Sequence, residues 1–550
     1  MSIFAGILRS LAIVAVTWVG WRLLRSLIVK NPLAKVRGPP SDNWMTGSFL
    51  SMVNPDAWAY HDRVAKQYGK VFAFGGLMGG KVLYTYDPKA LHQVTIKDLN
   101  SYEETDDFRR TAYLTLGMGL FSSMGDHHRK QRKMLNPVFS IAYLREMTPV
   151  FYEVGHRLRK SMLKQVSRGH TEVDVLGWMT RTALELIGQS GFAYSFDSLE
   201  IDAAQHPFGA SLKNLLPTMN DQLLTAVRIL LVPYVYGIAT PWFKRKVVDA
   251  LPWKALRQVR DMVDVMEKTS LEILDAAKKS LKLGDGYSDR KDIISLLLKA
   301  NMEADEGDKL PDNELLAQVS TLTFAAMDTT SNGLCRIMSL LAEHPEVQAK
   351  LRAEIVDAFS QNDGNDLDYE TLTFLPYLDA VCRESLRLHP PVPFAIREAM
   401  QDTSIPLSKP ITTTDGQTTQ EIFVPKGTSI FISITQCNRD TDVWGPDAEE
   451  WKPERWLSPL PESVTEAKVP GVYSNLMTFL GGGRSCIGFK FAQLEIKVVL
   501  SLVLQTFKLS PSDSKIIWQY NAVAQPTTED AELTAGGTRK LRLPLKLSVL

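Results

Sequence analysis

Apolar residues recur every three to four positions through most of the chain, and long runs of that period occupy Ile141–Val166, Trp253–Leu281 and Pro311–His344. The last of these is expected to be closed by Pro345. A helix over that span measures about 50 Å at about 1.5 Å per residue, enough to cross a large domain. A further helical run, Phe489–Phe507, lies near the C-terminus. Alternation at period two is confined to short stretches. Val71–Phe74 and Lys81–Tyr86 flank a glycine-rich turn, Gly75–Gly80, and predict a hairpin. Thr418–Phe423 and Ser429–Ile434 bracket Val424-Pro-Lys-Gly427 and predict a second sheet region. The pattern as a whole predicts a mainly α fold with small β-sheets.

Two segments break the amphipathic pattern. Ile3–Trp21 is almost wholly apolar, interrupted only by Arg9, Ser10 and Thr17. It comes close to the roughly 20 residues that span a bilayer core. Arg22, Arg25, Lys30, Lys35 and Arg37 follow, so the positive-inside rule puts the main domain on the cytoplasmic side, with Trp18 and Trp21 at the interface. A cleaved signal peptide carries its positive charges before the apolar run and a small-residue site after it. The charge order here is the reverse, and an uncleaved transmembrane anchor over residues 1–30 is expected. Arg9 must then snorkel or tilt the helix. Residues 31–45, with Arg37-Gly-Pro-Pro40, read as a stiff proline-containing hinge. The second segment, Ile229–Phe243, is followed by Lys244-Arg-Lys246 and reads either as a second membrane contact or as buried core.

Length alone suggests several domains, but no Ser/Gly-rich linker or repeat divides residues 46–550, so one large domain is expected there. A composition 45% hydrophobic and 23% charged is ordinary for a globular chain. The formal net charge is zero, which offers no field for nucleic acid. The four cysteines (Cys335, Cys382, Cys437, Cys486) form no C-x-x-C pair. That argues against a structural zinc site or a disulfide scaffold and for a reducing compartment.

Three stretches carry chemistry. In Phe479-Leu-Gly-Gly482-Gly-Arg484-Ser-Cys486-Ile-Gly488, a cysteine stands between a glycine turn and a helical run. Unpaired N–H groups and the dipole at a helix N-terminus stabilise a thiolate. Gly481, Gly482 and Gly483 suit a backbone folded tightly beneath a flat cofactor, and Gly488 a close approach as the helix begins. The bland alternative, an inert buried cysteine, is disfavoured by five positions matching in order. In the central helical run, Ala325-Ala326-Met327-Asp328-Thr329-Thr330 places polar groups where burial is expensive unless they are bonded. A threonine hydroxyl there can bond the i−4 carbonyl and open a niche for water. Glu384-Ser-Leu-Arg387 sets an acid and a base on one helix face. An ordinary surface pair is the default for such spacing, but apolar Cys382, Leu386 and Leu388 argue for burial.

On these residues the chain resembles the cytochrome P450 family from about Arg37 to the C-terminus. The resemblance implies haem b (iron protoporphyrin IX) with Cys486 as its axial thiolate ligand and Phe479 shielding the sulfur. It implies Arg484, Arg132 and Arg397 at the haem propionates, and His128 where a tryptophan is commoner; a lone surface histidine is the alternative for His128. Asp328 and Thr329 match the family's acid–alcohol pair, which relays protons during dioxygen activation, with Ala326 where glycine is usual. Glu384, Arg387 and Arg455 (in Pro453-Glu-Arg455-Trp456) match a buried network that locks the haem-binding loop. Phe108–Leu120, Phe324, Ala325, Val392, Phe394 and Ile396 are expected to line a pocket for a hydrophobic small molecule. Arg129, Lys130, Lys133 and Lys490 form either a docking patch for an acidic reductase or merely a solvated surface. No flavin- or dinucleotide-binding region is visible, so electrons are expected from NADPH–cytochrome P450 reductase. The implied protein is a single-pass monooxygenase of the endoplasmic reticulum membrane with a cytoplasmic catalytic domain. It is most similar to mushroom-forming fungal members that act in terpenoid or other secondary metabolism. The alternatives are a reductase-independent isomerase or dehydratase of hydroperoxides, and a haem sensor or carrier.

Overall fold

A computed structural model describes Thr17, Gly20 and residues 31–550 other than 220, 239, 284–290 and 534–538. The long central run is one helix, Asp312–Glu343, with Asp312 and Glu314 in its first turn, where the helix dipole favours acids. It ends as expected just before Pro345, with His344 out of helical geometry at φ −120° and ψ 75°. Pro345 is the first residue of the next helix, Pro345–Gln361, a position where a missing N–H costs nothing. The central helix is buried on nearly every face and packs most extensively on Val175–Phe192. The helical run after Cys486 is Phe489–Thr506, which crosses the helix Ile141–Ser167 at Gly155. A Cβ at Gly155 would lie 2.6 Å from Leu502 Cδ1, so any larger residue would require the leucine to shift. Phe151 and Phe491 meet edge to face beside it, 4.8 Å between centroids.

The expected hairpin is present as Val71–Gly75 paired with Lys81–Thr85. The expected second sheet is not formed by its two proposed strands. Ser429–Ser433 pairs in parallel with Lys81–Thr85 and antiparallel with Phe394–Ala399, at the centre of a five-stranded sheet. Thr418–Val424 pairs instead with Thr403–Thr412. The turn between them explains the divergence. Gly427 takes φ +79° and donates its N–H to Ala399 O at 2.7 Å, which hands the chain to the other sheet. Ile430, Phe431 and Ile432 are all buried, as a strand covered on both faces requires. Stacked rings cement that sheet, with Phe72 4.3 Å from Tyr84, Tyr84 5.2 Å from Phe431 and Phe431 4.7 Å from Phe394.

Residues 31–45, the segment of the stiff proline-containing turn, pack partly against the sheet. Leu33 and Val36 are buried in the sheet's apolar cluster, and Ala73 N–H donates to Arg37 O at 2.9 Å. Among the described residues the packing of this segment begins at Leu33. Deleting residues 1–30, expected from their sequence to be an anchor, should leave the melting temperature nearly unchanged. Deleting residues 1–36 loses the Leu33 side chain and is expected to cost about 2–5 kcal/mol. Thermal unfolding of the two truncations checks this.

The expected anchor, Ile3–Trp21, lies outside the described residues apart from Thr17 and Gly20. Among the described residues no helix is long and apolar enough to cross a membrane. The Ile229–Phe243 segment is not core. Leu231, Ile238, Trp242 and Phe243 are 50%, 65%, 68% and 52% exposed.

Candidate active site

The cysteine loop is held by short-range bonds. Cys486 N–H donates to Phe479 O at 2.9 Å, and Gly488 caps the helix that follows. Three cysteines are buried, and Cys486 alone has an accessible side chain. Its sulfur nonetheless lies deep among protein atoms, the combination an internal cleft produces. That depth pushes the thiol up, while the Gly488 N–H and Arg132 pull it down. The glycines owe their places to protein neighbours. A Cβ would strike the Pro470 carbonyl at Gly481, the Thr95 carbonyl at Gly482 and the Leu99 side chain at Gly483. Gly488 has no such constraint, since its Cβ would meet only Phe139 at an ordinary 3.8 Å. Phe479 sits between Tyr473 and Phe489, at centroid distances of 5.6 and 6.0 Å.

Cations gather beside this loop. Arg132, on the helix Gly125–Leu135, donates to Ser485 O at 2.6 Å and to Ser485 Oγ at 3.1 Å. His128 on the same helix is buried, which removes the surface alternative. Burial, then Arg484 and Arg132, hold its imidazole down at about 3, so it is neutral at physiological pH. Arg484 Nη2 donates to the Glu103 carboxylate and to Ser123 O at 2.9 Å. Arg397 Nη1 meets Glu104 Oε1 at 2.9 Å and Ile396 O at 2.9 Å. Sequence reasoning found the arginines and missed both glutamates. A cavity of about 250 Å³ lies here, lined by Glu103, His128, Arg132, Gly483 and Arg484 among others. An accessible thiol at a helix N-terminus beside guanidinium groups fits a planar iron porphyrin with a sulfur ligand and two edge carboxylates.

On the central helix, Thr329 Oγ1 donates to Ala325 O at 2.7 Å, the i−4 bond its position suggested. Asp328 is half-buried, and desolvation lifts its carboxyl to about 6 against the opposing charge of Lys213. Asn332 Nδ2 donates to Asp328 O at 2.7 Å. Asn332 was not anticipated, although the i+4 spacing from Asp328 is a signal for it. Phe324 meets Phe121 edge to face at 6.4 Å, and Phe121 meets Phe108 at 5.9 Å. This aromatic chain joins the central helix to the helix Asp106–Leu116, and Ala325 is half-buried next to Phe324. The Val392–Ile396 segment is divided by strand alternation. Phe394 stacks on Phe431 and on Tyr520, and Ile396 shares that face. Val392 packs on the same apolar cluster. Ala395 shares the face of Arg397, so it is the residue of this strand turned with the propionate candidate.

Glu384 and Arg387 are fully buried. Arg387 forks onto Glu384 at 2.9 and 2.8 Å and donates to the carbonyls of Asn438, Ala448 and Glu450. Arg455 reaches Glu384 at 3.3 Å and Asp447 at 3.0 Å, and Trp456 Nε1 donates to Glu384 at 2.9 Å. The link to the cysteine loop runs through two residues the motifs do not show. Asn438 Oδ1 accepts from Met477 N–H at 2.8 Å, and Thr478 Oγ1 accepts from Asn438 and donates to Leu386 O.

The expected basic patch is partly spent. Arg129 pairs with Asp126 at 2.6 Å and Lys133 with Asp308 at 3.6 Å. Lys130 donates to the carbonyls of Gly307 and Lys309. Lys490 lies 5.6 Å from the Phe489 ring centroid.

Such a fold, carrying such a thiol, is that of the haem-thiolate oxygenases. The sequence profile of the cytochrome P450 family matches residues 37–530. Cytochrome P450 monooxygenase 91 of Postia placenta is 45% identical, over 98% of this chain and 98% of its own length. Cytochrome P450 monooxygenase 212 of the same fungus is 45% identical over 100% and 99%. A ganoderic acid synthetase of Ganoderma lucidum is 42% identical over 94% and 95%. The chain belongs to the cytochrome P450 family and is a P450 monooxygenase.

Proposed function

We propose that this monooxygenase oxidises a hydrophobic small molecule, a terpenoid or other secondary metabolite, with electrons drawn from NADPH–cytochrome P450 reductase. The observation that carries the haem-thiolate chemistry is the accessible Cys486 thiol at a helix N-terminus, with Arg132 beside it. The terpenoid reading is supported by the likeness to a ganoderic acid synthetase and by the aromatic run Phe108–Phe121–Phe324. Cys486 would hold the iron, while Arg132, Arg397 and Arg484 would take the propionates. Bound haem supplies dioxygen activation, and thiolate ligation favours O–O cleavage. Neutral His128 would offer that edge a hydrogen bond without adding charge. We place the catalytic domain on the cytoplasmic face of the endoplasmic reticulum, behind the anchor of residues 1–30. The exposed Trp242 and Phe243, with Lys246 beyond them, suit a second contact with a membrane surface, while Arg245 is paired with Asp264 and Lys244 with the Tyr236 carbonyl. Expression beside a reductase in a host fed candidate terpenoids tests the reading, with mass spectrometry for products one oxygen heavier. No such product from any terpenoid would refute the substrate class.

Proton delivery falls to Asp328 and Thr329. The Thr329 O–H is committed to Ala325 O, so its lone pairs remain to accept from a water. Asp328, lifted to about 6, can release and regain a proton near neutrality. Thr329→Ala keeps the helix and removes the water's acceptor. NADPH consumption is expected to continue while product per NADPH falls, with hydrogen peroxide making up the difference. General acid–base groups contribute about 10²–10⁴-fold, and water partly substitutes, so the loss is expected toward the lower end. Unchanged coupling in Thr329→Ala would move the relay elsewhere.

A further inference from the structure

We infer that Glu103 and Glu104 are positioning residues for the propionate end of the haem site, an inference that rests on the haem reading above. They are adjacent in sequence and each engages a different propionate arginine, Glu103 taking Arg484 and Glu104 taking Arg397. The first pair is nearly buried, with side chains 8% and 9% exposed. Among the described residues each arginine spends one nitrogen on its glutamate and on a backbone carbonyl. Arg484 uses Nη2 for Glu103 and Ser123 O, and Arg397 uses Nη1 for Glu104 and Ile396 O. A guanidinium has five N–H donors in a rigid plane. Arg397 therefore keeps its Nε–Nη2 edge, the edge that meets a carboxylate with two parallel bonds. Arg484 keeps Nε and Nη1. The glutamates fix each plane and leave donors for a second carboxylate.

Glu103 also holds the helix that carries His128 and Arg132. Its Oε1 accepts from Gly125 N–H at 2.9 Å, at that helix's first residue, where a carboxylate is favoured by the dipole. One carboxylate thus ties the cysteine loop to the arginine helix. It also offsets part of the positive charge that Arg132, Arg397 and Arg484 concentrate around the haem edge.

The test is haem transfer to excess apomyoglobin, with the haem reduction potential measured on the same holoprotein. Glutamine has one acceptor oxygen, so in Glu103→Gln either Gly125 N–H or Arg484 loses its partner while the volume is kept. Haem transfer is expected to quicken several-fold in Glu103→Gln and about tenfold in Glu103→Ala, in line with the loss of other second-sphere partners. Glu104→Gln, on the less buried pair, is expected to quicken transfer to a lesser degree. The potential should rise in all three, because removing a nearby negative charge favours the reduced state, while the thiolate spectrum stays. Unchanged transfer and potential in both glutamine variants would overturn the inference. So would slower transfer, which would make the glutamates competitors of the propionates. A lowered melting temperature with an unmoved potential would assign them to scaffolding and overturn it as well. Wild-type protein that binds no haem would instead refute the proposed function.

Discussion

Cys486→Ser is expected to abolish the thiolate-type spectrum of the reduced carbon monoxide complex, and monooxygenation with it. The substitution replaces a polarisable sulfur by a hydroxyl that stays protonated and cannot donate comparable electron density to iron. No other cysteine can substitute. Cys335, Cys382 and Cys437 are buried, and burial pushes the Cys382 thiol up to about 12. The fold should survive, because the loop is held by the Cys486 backbone N–H and by glycines fitted against Pro470, Thr95 and Leu99. A thiolate spectrum that persists in Cys486→Ser would overturn the ligand assignment.

Arg387→Ala is expected to give protein that is insoluble or free of haem, not a folded enzyme slowed at one step. The fully buried side chain bonds both Glu384 oxygens and three carbonyls. Removing one partner of a buried pair costs roughly 3–5 kcal/mol. A native domain has only about 5–15 kcal/mol of stability in total. Arg455 and Trp456 still contact Glu384, which moderates the loss of charge balance, but neither replaces the bonds to Asn438, Ala448 and Glu450. Because Asn438 also anchors Met477 and Thr478, the disturbance should pass into the cysteine loop. Arg387→Lys should fail nearly as badly, since an ammonium cannot reproduce the planar fork. The ratio of haem to purified protein measures the effect. A stable, haem-loaded and inactive Arg387→Ala would assign the residue to chemistry.

The helices, the cysteine loop, the Thr329–Ala325 bond and the Glu384–Arg387 spacing were legible because each is a short-range pattern. Period 3.6 marks a buried stripe, and an i,i+3 or i,i+4 offset already puts two side chains on one face. Thr329 bonding Ala325 is a local event of this kind, as is Arg387 forking onto Glu384. What tertiary structure alone decided was partnership across distance. Arg484 and Glu103 are 381 residues apart, and nothing near either one marks the other. Ser429–Ser433 reads as a strand from its own residues, but the Gly427 turn and the Lys81–Thr85 edge determine which sheet it joins. His128 reads from its neighbours in sequence as either surface or interior, and only the tertiary structure buries it, within the field of Arg484 and Arg132. The glycines of the loop were expected to make room for a cofactor, and the nearest obstacles proved to be protein atoms, the Pro470 and Thr95 carbonyls and the Leu99 side chain. Local periodicity chooses the element and its buried face. Which buried face meets which is settled only when burial of apolar area and pairing of charges are satisfied over the whole chain at once.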